Sequence, residues 1–236
     1  MIKEMRIAND NATIKGWRAW PEDEPLEHPN EYVGVLIDNY YDLWKVMPIL
    51  YEGVPIKERM QSKTGVEFKG KSHFGRYFAN SRSALYKKDS LGLSLIKNFF
   101  HPYLSYTSEL PENFSGEFSL TYDKNLVYTH KSQYLVNITA TGENDVALLG
   151  NKFDNQLIGN SGNNILRGNG GNDILIGSVG LDQASFRGVL SDYSIEYRDK
   201  QIIITDKITN RDGKDILKDV EKGGFVDQDY TFQINK

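Results

Sequence analysis

Asp173 and Asp182 stand nine residues apart, and Asn164 and Asn155 continue the same spacing upstream. Each follows a glycine by five positions, from Gly150, Gly159, Gly168 and Gly177, and the last two units add Gly171 and Gly180. The set therefore offers carboxylate or amide oxygens at a fixed interval, beside corners where glycine lets backbone carbonyls turn inward. Two kinds of chemistry are open to it. The oxygens can together coordinate a hard cation, or the side chains can hydrogen-bond from turn to turn with no metal.

Positioning such residues requires a repeated backbone. In every unit a Gly- or Asn-rich half precedes a short apolar half, with Leu157, Leu166, Leu175 and Ala184 all in the eighth place. The first half reads as a tight turn and the second as a three-residue strand, so the eighth residues would stack into one core. Two units then make one coil, which stacks Asn155 with Asp173 and Asn164 with Asp182. Thr141 to Leu149 reads as a decayed first unit in the same register.

This register resembles the nonapeptide G-G-x-G-x-D-x-U-x of the RTX, or haemolysin-type, calcium-binding family, where U is a large apolar residue. Gly168 to Ile176 is the fullest copy, with Gly168, Gly171, Asp173 and Leu175 in place and Asn169 for the second glycine. Asn155 and Asn164 stand where the family has Asp, Phe153 replaces a glycine, and Ala184 is small for its place. The resemblance implies a parallel β-roll that binds calcium between stacked turns. Asp173 and Asp182 would be the decisive ligands, Asn155 and Asn164 neutral ones, and the corners at Gly168, Gly171, Gly177 and Gly180 would supply carbonyls. Because affinity follows ligand charge, one or two weak sites are expected, and binding would be coupled to folding. The resemblance also implies secretion through an uncleaved C-terminal export signal, in keeping with the polar stretch Met1 to Thr13, which lacks a signal peptide's apolar centre.

Composition excludes much else. The 236 residues carry a net charge of −4 and no Cys, so thiol nucleophiles, thiolate metal sites and a nucleic-acid-binding polycation are not indicated. No apolar run approaches the roughly 18 residues of a membrane span. No G-x-S-x-G elbow occurs. Lys57, Arg59, Lys63, Lys69 and Lys71 fall in a Gly- and Pro-containing stretch that reads as a solvated loop.

The N-terminal part has a different texture. After a Pro-interrupted acidic arm over 1–30, helical periodicity runs from Glu31 to about Trp44, then over Phe74–Tyr86 and Ser90–Phe100, with Asp89 as the N-cap of the last. The segment NEYVGVLIDNYY resembles the helix with which certain zinc metallopeptidases bring a Glu to their metal, and that resemblance makes Glu31 a zinc ligand. His28, His73, His101 and His130 are scattered, and no H-E-x-x-H is present. The chain is therefore not expected to be an enzyme by itself; on this reading it is the downstream portion of a peptidase whose zinc helix is absent.

The expected fold is α+β. A small helical domain (1–101) precedes a β cap (102–140), a short parallel β-roll or β-solenoid (141–186) and a second β cap (187–236). The caps are read from strand alternation through Phe114 to Tyr122 and Val127 to Ile138, and from a hairpin of Tyr193–Tyr197 with Ile202–Thr205. Three functions remain open: a secreted calcium-binding protein whose helical domain is structural or meets a protein or surface partner, the peptidase portion, and a metal-free solenoid for adhesion.

Overall fold

The structure is a computed structural model and describes residue 7 and residues 28–43, 50–51, 54–55, 81–123, 125–130 and 132–233. The chain divides into two compact units, Met1–Pro102 and Tyr103–Lys236. Most of the acidic arm, most of the basic loop, and His73 lie outside the described residues.

In the first unit α1 spans His28–Tyr40, α2 Arg82–Lys88 and α3 Ser90–Lys97, and Leu50–Tyr51 (β1) pairs antiparallel with Val54–Pro55 (β2). The first helix begins earlier than the apolar pattern suggests, because Pro29 falls in a first turn that needs no N–H from it. It ends at Tyr40, and Asp42 then takes a φ of 51°. Asp89 separates α2 from α3 and caps the latter, its Oδ1 accepting from Gly92 N at 2.9 Å. Its Oδ2 accepts from the Tyr32 hydroxyl of α1 at 2.6 Å, so one buried carboxylate joins two helices. Residues 74–80, where the second helix was expected to begin, lie outside the described residues.

The second unit is built on two seven-stranded mixed sheets. Its strands are β3 Leu104–Leu110, β4 Gly116–Ser119, β5 Tyr128–Thr129, β6 Leu135–Ala140, β7 Val146–Leu149, β8 Gln156–Ile158, β9 Ile165–Arg167, β10 Ile174–Ile176, β11 Gln183–Ser185, β12 Tyr193–Arg198, β13 Gln201–Asp206, β14 Lys214–Lys218, β15 Lys222–Gly224 and β16 Asp229–Thr231. One sheet runs β12-β13-β14-β10-β8-β6-β3 and the other β16-β15-β11-β9-β7-β4-β5. Successive strands from β6 to β11 therefore alternate between sheets, and each pairs in parallel with the strand two places away.

That pairing makes the eighth residues meet. Ile138, Leu157, Leu175 and Leu217 stand in register in one sheet, and Leu148, Leu166 and Ala184 in the other. All seven are buried, and each leucine contributes about 1.5–3 kcal/mol by leaving water. The second column narrows from Leu166 to Ala184 and then Gly223, and a ring cluster fills the space. Phe186 stacks on Phe225 with centroids 5.0 Å apart, and Tyr193 lies 5.3 Å from Phe186. A Cβ on Gly223 would lie 2.8 Å from both Phe225 and Phe232.

Strand β3 carries no apolar alternation, being a largely exposed edge strand, and the sequence pattern passed over it. The strands read as a cap between 114 and 138 are already in the parallel register, since Phe118 pairs with Leu148 and Ile138 with Leu157. Antiparallel pairing appears downstream, in β12-β13-β14 and β15-β16. The hairpin turns at Asp199 and Lys200, both at positive φ, which matches the strands' twist in a two-residue loop.

Candidate metal centre

The corners at Asp173 and Asp182 are each fixed by a glycine in the fourth place. Gly171 has a φ of 116° and Gly180 of 142°, a region L side chains avoid. Added Cβ atoms there would meet the carbonyl oxygens of Phe153 and Gly162 in the coil before. Corners therefore nest on one another at backbone distance, and this closeness brings the sixth-place side chains together.

Two inner columns result. Asp173 Oδ1 accepts from Asn155 N at 2.7 Å, and Asp215 Oδ1 accepts from Asp173 N at 2.9 Å. In the other, Asp182 Oδ1 accepts from Asn164 N at 2.7 Å and Glu221 Oε2 accepts from Asp182 N at 2.8 Å. The pairs inferred from the repeat, Asn155 with Asp173 and Asn164 with Asp182, are thus direct neighbours. An outer row runs alongside, with Asp154 accepting from Asn172 N at 2.8 Å and Asp145 from Asn163 N at 2.7 Å.

The amides and the carboxylates are not in the same condition. Asn155 Oδ1 accepts from Asn151 N at 2.7 Å, while its Nδ2 donates to Asn151 Oδ1 and to the Val136 carbonyl. Asn164 repeats the arrangement with Asn160. Asp173 and Asp182, equally buried, each keep an Oδ2 with no hydrogen-bond partner. A Cβ on Gly168 would collide with Oδ2 of Asp173, and one on Gly177 with the Asp219 carbonyl, 2.5 Å from Oδ2 of Asp182. These predicted glycines therefore stand where free oxygens crowd the corner.

Electrostatics follow from that burial. Loss of solvent pushes the Asp173 carboxyl up to about 7 and the Asp182 carboxyl up to about 6, and backbone N–H donors offset only part of the effect. Burial, then the neighbouring Asp173 charge, pushes Asp215 up to about 9. A buried carboxylate with no cationic partner is costly, so these groups call for a proton or a cation.

Asp215 and Glu221 escaped sequence reasoning because Arg187 to Arg211 interrupts the nine-residue spacing. The signal was present in Gly213, Asp215 and Leu217, which reproduce the fourth, sixth and eighth places of a unit. Glu221 has no such signature, since its corner is shortened to Asp219 and Val220 before strand β15. Its longer side chain spans the difference.

Asn151, Asn160, Asn169 and Ser178 were also unforeseen as actors. They occupy the second place, where the family consensus has glycine, and donate to carbonyls one coil back: Asn169 to Gly150 O at 2.9 Å, Ser178 to Gly159 O at 3.0 Å, Asn160 to Thr141 O at 3.0 Å and Asn151 to Leu135 O at 2.7 Å.

Nothing supports the zinc reading. Glu31 lies in the first turn of α1, its side chain outside the described residues, and among the described residues no group of three or more His, Asp or Glu could hold a metal ion. That finding also sets a bound on calcium: each inner column brings two stacked carboxylates, and further ligands would be carbonyl, amide or water oxygens, all of which calcium accepts.

Residues 149–184 match the family profile of the RTX calcium-binding nonapeptide repeat, in four copies. None of the curated proteins and none of the solved structures matches the chain.

Proposed function

We propose that this chain, with its four RTX calcium-binding nonapeptide repeats, is a secreted calcium-binding protein whose repeat unit is a β-roll stabilised by the cation. The observation that carries this reading is the pair of buried, unpartnered oxygens, Oδ2 of Asp173 and Oδ2 of Asp182, in the sixth place of consecutive units. When bound, calcium supplies positive charge that no side chain in these columns provides. The chain's own part is to hold the two carboxylates against the corners at Gly168, Gly171, Gly177 and Gly180, keep water from them, and offer carbonyls alongside. Asn155 and Asn164 add neutral oxygens at most, so one or two sites of modest affinity follow.

Extracellular calcium is abundant and cytosolic calcium scarce, so a fold that gains stability from the cation is suited to export before folding is complete. RTX repeat proteins are typically secreted, which supports an extracellular location for this one, through a C-terminal export signal. The helical unit serves as a structural or partner-binding domain for a protein or surface. Among the described residues no helix is long and apolar enough to cross a membrane.

Calcium titration followed by circular dichroism and thermal melting tests this. The melting temperature should rise with calcium and fall back with chelator; an unchanged melt at millimolar calcium sinks the proposal. The closed hydrogen bonding of Asn155 and Asn164 favours a second reading, a metal-free solenoid for adhesion, in which chelator changes nothing.

A further inference from the structure

Strand β14 returns to the stack after the excursion from Phe186 to Asp212 and lies parallel to β10, with Ile174 opposite Ile216. This places Asp215 directly on Asp173. Both are buried, at 2% and 1% exposure, and Asp215 Oδ1 accepts from Asp173 N at 2.9 Å. With both ionised the two are acceptors only and neither can satisfy the other, and Asp173 Oδ2 has no hydrogen-bond partner.

The neighbouring charges give no relief. Asp212 also faces the pair and adds negative potential, and its own oxygens are committed to Arg187 Nε at 2.5 Å, Arg187 N at 2.9 Å and the Tyr193 hydroxyl. Arg211 is held by Asp206 and Asp192. Both of these guanidinium groups are thus occupied by other acids.

We propose that Asp215, which lies beyond the four repeats, is the second carboxylate of a divalent-cation site shared with Asp173, so that the cation fastens the C-terminal strands onto the repeat stack. This rests on the calcium reading above and goes further in assigning a ligand outside the repeats and a consequence for the tail. The cation bridges two segments separated by the whole β12-β13 hairpin. Calcium suits the pair because both donors are hard oxygens, and because the glycine corners at Gly171 and Gly213 nest so closely that a Cβ on Gly213 would collide with the Gly171 carbonyl. The upstream coils, whose sixth places hold hydrogen-bonded Asn155 and Asn164, do not need it.

The test uses the full chain, calcium alone as the probe, and Asp215→Asn, which keeps an oxygen to accept from Asp173 N and gains an N–H for Asp173 Oδ2. Calorimetric titration should show the variant losing one bound calcium, or binding it roughly tenfold or more weakly. Hydrogen exchange should show calcium protecting Ile216 and Leu217 in the wild type and not in the variant. In chelator the variant should melt no lower than the wild type. Asp215→Glu should restore part of the calcium response. If the wild type binds calcium and Asp215→Asn binds it equally well, this assignment is overturned and the general calcium reading stands. Should the wild type bind none, both fall. A variant that melts lower in chelator also overturns the assignment, because it shows Asp215 to be a structural acceptor.

Discussion

The corners at Asn155 and Asn164 and those at Asp173 and Asp182 share a register and the same two apolar columns, but only the Asp corners take positive φ at the second and fourth places, and the two kinds solve burial differently. An amide has both a donor and an acceptor, so each Asn closes its own corner with Asn151 or Asn160 and leaves nothing over. A carboxylate can only accept, and each Asp reaches back to the preceding coil with one oxygen while the other has no partner. In the sixth-place side chain the difference is one group, NH₂ against O⁻. It separates a half of the stack whose sixth-place oxygens are bonded from a half that keeps an unpartnered oxygen in each corner.

The largest effect should be blind to this distinction. Leu157→Ala and Leu175→Ala remove fully buried leucines from the same column, one beside each kind of corner. Each should cost about 2–5 kcal/mol, with or without calcium. Urea unfolding in both buffers checks this, and a calcium-dependent gap between the two would mean that the apolar core is itself divided.

Exchanging the corner chemistry comes next. Asn155→Asp places a further acceptor-only group beside Asp173, so in chelator it should destabilise by roughly 1–3 kcal/mol through unsatisfied burial. Calcium should restore most of that loss and bind in greater amount. A melt unaffected in chelator would show that the closed amide corner is not what makes the upstream half self-sufficient.

A smaller effect comes from pH. The Asp173 carboxyl is raised from 3.8 to about 7 and that of Asp182 to about 6, burial being the main cause. The folded protein therefore holds more protons than the unfolded chain between those values. That contribution to stability is fully present below about pH 4 and is lost as pH rises through 6 to 7. Without calcium the repeat unit should melt at least several degrees higher at pH 5 than at pH 8, because the protons held by Asp173 and Asp182 are lost over that range. Saturating calcium should reverse the order, since protons compete for the same oxygens. Equal melts in chelator would mean that the downstream carboxylates are already compensated.

How much of this was legible depended on whether the spacing survived. Units 150 to 185 could be read because one leucine and one Asn or Asp recur at fixed places, and the two columns follow from a two-unit coil. Strand β3 could not be read, because an exposed edge strand needs no apolar alternation. Asp215 keeps Gly213 and Leu217 around it, and only the intervening hairpin hid its place in the column. Glu221 was beyond reach, since its corner shortens and the residue type changes with it. The helices were legible as elements, with Asp89 marked as a cap, but its bond to Tyr32 is a tertiary contact between segments far apart in the chain.

The finest test concerns the second-place residues. Asn169 has a φ of 71° and Ser178 of 80°, where the repeat consensus has glycine. Each nonetheless donates to a carbonyl of the preceding coil, Gly150 O or Gly159 O. Two contributions therefore oppose each other at one position, since positive φ disfavours any side chain while the hydrogen bond rewards one that can donate. Asn169→Ala keeps the strain and loses the bond, and should cost about 1 kcal/mol; Asn169→Gly loses the bond and relieves the strain, and should be nearly neutral. Both free the Gly150 carbonyl. If that carbonyl is held by Asn169 in place of a cation, calcium should stabilise Asn169→Gly more than the wild type, by a few tenths of a kcal/mol or more. An identical calcium increment in the two proteins would show that the second-place side chains stitch the coils without competing for the metal's ligands, and the boundary between the two halves would then rest on the sixth place alone.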